Sequence, residues 1–328
     1  MADLVQISDG GATPHATDYS DLLAKLVTFA TGTTWWTTLQ NDAEMTCLQG
    51  EGSGLEEIIV SFQKYSDVPT DTYGWNMNGY TGYTAGLGFT AQPGAIPATP
   101  TVSAYPRMPL WNSTIPYWFI VNSRRIIVIA KVATVYMSCY SGFILPFATP
   151  GQYPYPLFIG GTTWAGSGST ARYSSIDEDD HAFWRGYTAD GTVNAASDSF
   201  KLRTPDGAWV STNNSVGTIS LGALLASSGM YPYTLPTDPA ANSAAFQVGY
   251  ELNNLDGSYT LTPIEYREVR SSSNNVNGNL MGELDGLYHV SGVSNTVENI
   301  IDVAGVDYLV VQNIFRNSID QFCAVKLV

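Results

Sequence analysis

The sequence predicts a mainly β protein of α+β type, in which antiparallel sheets or a β-sandwich follow an N-terminal helix. Three observations lead to this prediction. Runs rich in β-branched and aromatic residues recur along the chain, and glycine, proline, asparagine and serine separate them. Only one segment, near the start, shows clear helical spacing. Long aromatic segments between the runs are expected to form irregular loops.

The helix is predicted at residues 17–32. Thr17 or Asp18 can cap its N-terminus, and Gly32 follows its last turn. Its apolar residues fall at helical spacing and are Tyr19, Leu22, Leu23, Leu26 and Ala30. A stripe of this length predicts packing on the core, and a cofactor-binding or partner-binding helix is the alternative.

Strands are predicted for five runs, at residues 33–39, 58–62, 117–121, 126–136 and 308–315. Residues 126–129 are apolar on both faces, which is typical of a central strand covered on two sides. Asn122 and Ser123 predict a tight turn before this strand. Residues 321–328 alternate in polarity and predict the second strand of a C-terminal hairpin with 308–315.

Two segments, 73–106 and 149–170, combine many glycines and prolines with aromatic residues. Flexible linkers are poor in aromatic residues, so these loops are expected to pack on their own domain or on a neighbouring subunit. Their rings are the predicted interaction surface, which consists of Tyr73, Trp75, Tyr80, Tyr83, Phe89, Tyr105, Tyr153, Tyr155 and Trp164.

The length of 328 residues allows one large domain or two ordinary ones. A composition shift near residue 160 predicts a helix-plus-β domain at 1–160 and a β-rich domain at 161–328 that ends in the hairpin, with a single domain as the alternative. Three widely spaced cysteines, Cys47, Cys139 and Cys323, fit neither a disulfide framework nor a zinc motif. They are expected to be buried free thiols in a reducing compartment.

Charge argues against several classes of partner. Charged residues make up 13% of the chain, against about 25% in an average domain. The formal net charge of −15 disfavours direct binding to nucleic acid or to anionic lipid. The N-terminus lacks the pattern of a signal peptide, and no apolar run is long enough to span a bilayer. Assembly in the cytoplasm, without membrane insertion, is therefore expected.

Sequence motifs predict no catalytic residue, resident metal or cofactor, and the chain is not expected to be an enzyme. The acidic run at 177–180, followed by His181, could contribute oxygen ligands to Ca²⁺, but it lacks the spacing of an EF-hand. A solvated acidic loop is the favoured interpretation of this run. No pair stands out among the carboxylates that could act as a glycosidase pair, which include Glu56, Glu57, Glu265, Glu268, Glu283 and Asp285.

The stretch 110–161 resembles a group of structural proteins encoded in the tail or virion-morphogenesis clusters of tailed bacteriophages. The similar features are IPYWF, a double arginine before an aliphatic strand, YSGFILP, and YPYP ahead of a Gly-Gly pair. LYHVSGVSNT and GVDYLVVQNIFR within 286–328, and TDYSDLLAKLVTF at 17–29, resemble the same group.

The resemblance implies a structural protein of the virion that works without an active site. A baseplate or tail-tip subunit in a symmetric assembly is the preferred expectation, with copies of itself and other virion proteins as partners. The alternatives are a neck, collar or head decoration protein and a host-recognition module that binds surface glycan through the aromatic loops. A depolymerase or wall hydrolase is the third hypothesis.

Overall fold

The computed structural model describes residues 3–54, 56–97, 105–161, 183, 200–211, 216–218, 258–268, 270–272, 275–277, 280–312 and 322–327. Trp164, the acidic run at 177–180 and His181 lie outside these residues. Within them the chain is mainly β with one α-helix, and every paired strand is antiparallel, which confirms the predicted fold class.

The helix α1 spans Tyr19–Thr31, and a 3-10 helix spans Val68–Thr70. In chain order the strands are β1 (Leu4–Ile7), β2 (Trp36–Asn41), β3 (Thr46–Gly50), β4 (Ile58–Asp67), β5 (Thr72–Tyr80), β6 (Arg107–Leu110), β7 (Tyr117–Val121), β8 (Arg125–Val132), β9 (Val135–Phe143), β10 (Leu145–Pro146), β11 (Leu157–Gly161), β12 (Phe200–Arg203), β13 (Trp209–Ser211), β14 (Val216–Thr218), β15 (Thr262–Glu268), β16 (Arg270–Ser272), β17 (Asn275–Asn277), β18 (Leu280–His289), β19 (Ile300–Val303), β20 (Val306–Gln312) and β21 (Phe322–Lys326).

These strands form three main sheets. The central sheet has the order β1-β7-β8-β9-β11-β12-β13. The helix-side sheet consists of β2 to β6 in sequence order, and the far sheet has the order β14-β15-β18-β21-β20-β19, with β10 paired to β18. A separate two-stranded ribbon joins β16 and β17.

The central sheet is covered on both faces, so the protein has three layers. Alternate residues of a strand point to opposite faces. Ile126 and Val128 of β8 therefore join the core shared with α1 and the helix-side sheet, while Ile127 and Ile129 join the core shared with the far sheet. All four are fully buried. The prediction that 126–129 is a strand covered on two sides is confirmed.

The predicted helix is also confirmed, including its cap. Asp18 Oδ1 accepts hydrogen bonds from the backbone N–H groups of Ser20 and Asp21, at 2.7 Å and 2.8 Å. The buried face consists of Leu22, Leu23, Leu26 and Ala30. Because these residues face the central sheet and the helix-side sheet, α1 belongs to the core and does not stand apart as a separate recognition helix.

The run 126–136 forms two strands, and the prediction of a single strand there was wrong. Val132 of β8 pairs with Val135 of β9 across a two-residue turn. Ala133 adopts a left-handed conformation in this turn, with φ of 55°. The turn contains no glycine or proline, so the composition of this run does not predict that the chain reverses direction here. The C-terminal pair β20 and β21 forms the predicted hairpin, whose connection lies outside the described residues.

The segment 73–106 is only partly a loop, and this corrects the sequence interpretation. Residues 73–80 belong to β5, which pairs with β4 on one side and β6 on the other. Gly74 is needed inside this strand because a Cβ there would overlap the carbonyl oxygen of Met108. The glycines of β5 allow close packing of neighbouring groups, whereas the glycine content alone had predicted a loop.

The central sheet continues across the composition shift near residue 160. β11 ends at Gly161 and pairs with both β9 and β12, so this sheet does not end where the boundary was placed. A Cβ at Gly161 would overlap the carbonyl oxygen of Arg107, so the central and helix-side sheets approach each other closely at this point. No helix within the described ranges is long and apolar enough to cross a bilayer.

Candidate interaction site

Most of the predicted aromatic surface is buried inside the chain. Trp75 and Tyr80 are fully buried, and Tyr73, Phe89 and Tyr153 retain at most 8% exposure. The described parts of these two segments therefore pack on their own chain, which is one of the two alternatives expected for them. These five rings are unavailable for contact with a partner in this conformation, because their faces are already occupied.

Hydrogen bonds hold the buried rings to the core. Trp75 Nε1 donates to the carbonyl oxygen of Tyr19 at 2.9 Å, which ties β5 to the first turn of α1. The Tyr80 hydroxyl donates to the carbonyl oxygen of Phe89 at 2.7 Å and lies 2.6 Å from Ser61 Oγ. Burial raises the pKa of Tyr80 far above its ordinary value, so the phenol stays neutral.

Three further predicted rings, Tyr83, Tyr105 and Tyr155, are half-buried. The Tyr83 hydroxyl donates to Gln40 Oε1 at 3.2 Å, and Tyr105 packs edge-on against Phe89 with ring centroids 5.3 Å apart. The Arg203 guanidinium lies 5.3 Å from the ring centroid of Tyr155. Each of these rings is engaged with its own chain. Trp164, the ninth predicted residue, lies outside the described residues.

The candidate site is instead a groove between α1 and the edge strand β1, called here the edge groove. It has a volume of about 860 Å³. Leu4, Val5 and Gln6 line one wall, and Ala24 and Phe29 line the helix wall. Neighbouring residues of a strand point to opposite faces, so a groove that touches three successive residues follows the edge of β1.

The register of β1 shows which backbone groups face the edge groove. Ser8 N donates to the carbonyl oxygen of Tyr117 at 3.0 Å, in the register that pairs Ile7 with Trp118. In an antiparallel pair, hydrogen-bonded residues alternate, so Leu4 and Gln6 also bond toward β7. The N–H and C=O groups of Val5 and Ile7 consequently point away from β7, at the edge of the sheet. Within the described residues, β7 is the only strand paired with β1.

A buried ion pair fixes the start of β1. Arg125 is fully buried, and its Nη2 lies 2.9 Å from Asp3 Oδ1. Asn122 Nδ2 also donates to Asp3 Oδ1 at 3.0 Å. Burial raises the pKa of Asp3 above its ordinary value, and the Arg125 guanidinium opposes this effect. The charge pair thus pins the residue immediately ahead of β1 to the central sheet.

The same cluster joins all three layers. Asn122 Nδ2 donates to Asp285 Oδ2 of the far sheet at 2.7 Å, and Arg125 Nε donates to the Asp285 carbonyl oxygen at 3.0 Å. Trp36 Nε1 of the helix-side sheet donates to the Asn122 carbonyl oxygen at 2.7 Å. Gly286 adopts φ of 74°, and a Cβ there would lie 2.5 Å from Arg125 Nη2. We call Asp3, Asn122, Arg125 and Asp285 the central charge cluster.

Burial holds several titratable side chains of the described residues in their neutral form. His289 is buried, and desolvation lowers its pKa to about 3, so it is neutral at physiological pH. Burial raises the pKa of the thiols of Cys47 and Cys139 to about 12, and all three cysteines are buried and unlinked by disulfides. Within the described ranges, no three His, Cys, Asp or Glu side chains are placed to hold a metal ion.

Two of the carboxylates considered from the sequence do come together. Glu265 of β15 lies directly opposite Glu283 of β18. Burial raises the pKa of Glu283, and the carboxylates of Glu265 and Asp285 raise it further. Burial also raises the pKa of Glu265. Like charges placed directly opposite each other destabilise a sheet, so this pair is expected to weaken the fold at neutral pH.

Replacing Glu283 with Gln should therefore stabilise the protein at pH 7 by roughly 0.5 kcal/mol. Because the folded pKa lies above the ordinary value of 4.5, the folded state binds the proton more tightly. The free energy of unfolding therefore falls as pH rises from the ordinary pKa of 4.5 through the higher pKa of Glu283 in the folded state. Urea denaturation at pH 4 and pH 7 should show a gain for Glu283→Gln at pH 7 that shrinks at pH 4. An equal gain at both pH values, or the same gain for the exposed Glu51→Gln, would contradict this expectation.

Comparison of the sequence with protein-family models and with curated proteins finds no match.

Proposed function

We propose that the chain is a structural subunit of a tailed-bacteriophage virion, at the baseplate or tail tip, that acts through protein contacts and carries no catalytic site. The observation that carries the proposal is the resemblance of three separate stretches, 17–29, 110–161 and 286–328, to structural proteins of such virions. Its partners are copies of itself in a symmetric assembly and other virion proteins. The subunit assembles in the host cytoplasm and ends in the virion.

The position of these stretches in the fold supports this proposal. Residues 110–161 include β7, β8, β9 and β11, the continuous middle of the central sheet. Residues 286–328 include β19, β20 and β21, and residues 17–29 form most of α1. The resemblance therefore concerns the strands and helix that build both cores, which favours a shared framework over a shared surface loop.

The burial of titratable groups in the described residues is consistent with a scaffold. Titratable side chains such as His289 are held neutral by burial, and the central charge cluster is used to join layers. The glycan-binding alternative depended on exposed aromatic rings. Since Trp75 and four other rings are buried in the chain, no specific observation favours that alternative.

Disruption of the gene in the phage that encodes the chain tests the proposal. We expect infected cells to yield few infectious particles and to accumulate incomplete assemblies visible by electron microscopy. A plasmid copy of the native gene should restore the yield. Normal particle yield and morphology without the protein would contradict a baseplate or tail-tip role.

A further inference from the structure

We propose that the edge groove binds an extended segment of a partner protein, which pairs with β1 and becomes an eighth strand of the central sheet. The bound segment is apolar and basic. Addition of a strand to a sheet edge is a recurrent mode of peptide recognition, in which main-chain hydrogen bonds supply affinity and side-chain pockets supply selectivity. The inference goes beyond the proposed function and rests on the geometry of β1 and α1 together with the net charge of the chain.

β1 carries none of three features that commonly protect an edge strand. Native proteins block such edges with charged residues, prolines or β-bulges, as well as by keeping them short. β1 has the sequence Leu-Val-Gln-Ile and pairs with β7 in unbroken register. Three other edges differ, since β6 contains Arg107 and Pro109, β19 contains Asp302, and β2 has a register shift after Thr38. Within the described residues, β1 is therefore an edge that is open to a further strand.

The open edge presents a complete set of pairing groups. Val5 and Ile7 each direct one N–H and one C=O away from β7, and this spacing matches the hydrogen-bonded pairs of an antiparallel or parallel neighbour. Four residues of strand extend over roughly 13 Å. An extended segment of similar length can therefore satisfy every outward group of β1 at once.

The walls of the edge groove select the character of the segment. Leu4 and Ile7 are 43% and 42% exposed, although both are large apolar side chains. Leu4 pairs with Val121 of the helix-side core, so its side chain lies on the same face as the apolar helix wall of Ala24 and Phe29, whereas Ile7 lies on the opposite face. A segment with apolar side chains at alternate positions would cover Leu4 and this helix wall on pairing with β1.

Charge selects a basic partner over a second copy of this chain. The chain carries a formal net charge of −15, so two copies repel each other at long range, while a basic segment is attracted. Inside the edge groove the only charged groups of the lining are Asp21 and Lys25, which pair at 3.8 Å and leave the lining nearly neutral. The attraction to a basic segment therefore comes from the net charge of the whole chain, and the basic side chains of the segment belong at the alternate positions that point away from α1.

A synthetic peptide of eight alternating lysine and valine residues is the probe for this site. Fluorescence anisotropy with the full chain should show saturable binding, and the same peptide with glutamate in place of lysine should bind at least about tenfold more weakly. Hydrogen exchange of the Val5 and Ile7 amides should slow by at least about tenfold when the lysine peptide is bound, since both amides gain a partner.

Two variants test the site from its opposite walls. Ile7→Pro removes an outward N–H while leaving the bonds to β7 in place, and Ile7→Thr is its control. Ala24→Trp fills the edge groove from the helix without altering β1, so the test remains decisive even if the proline variant fails to fold. We expect at least about tenfold weaker binding to Ile7→Pro and Ala24→Trp, with near-native binding to Ile7→Thr.

Three results would overturn the proposal. The first is the absence of saturable binding to the native chain, and the second is unchanged binding to both Ile7→Pro and Ala24→Trp. The third comes from analytical ultracentrifugation of the chain alone. A concentration-dependent dimer that both variants abolish would identify a second copy, and not a basic segment, as the occupant. Peptide binding by the isolated chain does not depend on whether the chain is part of a virion. Failure of the proposed function and failure of this inference are therefore distinguishable.

Discussion

Replacing Arg125 with methionine should lower the free energy of unfolding by about 3–5 kcal/mol. The side chain is fully buried, and its removal leaves the Asp3 carboxylate in the core without its charge partner. Asp285 also loses its ion pair with Arg125 Nε, at 3.7 Å, and the hydrogen bond to its carbonyl oxygen. Methionine fills a similar volume, so the loss reports charge and hydrogen bonding more than a cavity. Urea denaturation at pH 7 measures it.

A second substitution separates the charge from packing. Adding Asp3→Asn to Arg125→Met removes the buried carboxylate that has lost its charge partner. The double variant should therefore recover part of the lost free energy of unfolding. Asp3→Asn alone should destabilise the protein, because the buried Arg125 guanidinium then lacks the negative charge of Asp3. Strictly additive losses, or a loss below about 1 kcal/mol for Arg125→Met, would show that the central charge cluster does not hold the layers together.

Replacing Trp75 with alanine should cost about 3–5 kcal/mol of stability. The indole is fully buried and packs edge-on against Phe62, with ring centroids 5.8 Å apart. The substitution also removes the hydrogen bond from Nε1 to the Tyr19 carbonyl oxygen at the start of α1. Thermal and urea unfolding monitored by far-UV circular dichroism measure the loss.

Trp111 provides a matched control. Its ring is only partly buried, and its Nε1 donates locally to the Thr114 carbonyl oxygen at 3.2 Å. Trp111→Ala should cost less than half as much as Trp75→Ala. If Trp75→Ala instead left stability intact and altered only partner or glycan binding, the burial of this ring in the monomer core would be contradicted.

Local patterns carried most of the information about the fold. The helix was predictable because Asp18, the apolar spacing of Leu22, Leu23 and Leu26, and Gly32 act within one segment. The central strand was predictable because a run that is apolar on both faces requires cover on both sides. Both signals are short-range, and both features formed as expected.

The errors arose where one residue type has two physical roles. Gly74 and Gly79 looked like loop glycines, but they lie in β5, where other groups approach closely. The reversal after Val132 uses Ala133 in a left-handed conformation, which composition does not signal. In each case tertiary packing decided a conformation that local sequence left open.

The candidate site was not predictable for a related reason. The double arginine stands at the start of β8, but Asn122 and its partner Asp285 are separated by 163 positions, so spacing along the chain gives no sign of their contact. The sequence Leu-Val-Gln-Ile of β1 is ordinary for any strand. Its open edge follows from sheet order, which only the assembled fold defines. The aromatic content of the loops, by contrast, predicted an interaction surface, but five of its rings are buried in the core.

Quantitative mass spectrometry of gradient-purified phage particles tests whether the chain is a structural part of the virion, as proposed. Under this proposal the particles come from the phage that encodes the chain, and peptides from this protein would be compared with those of the major tail and head proteins. We expect a constant, multi-copy ratio that survives salt washing and repeated purification. Absence of the chain, or trace amounts that fall with each purification step, would contradict a structural role in the virion.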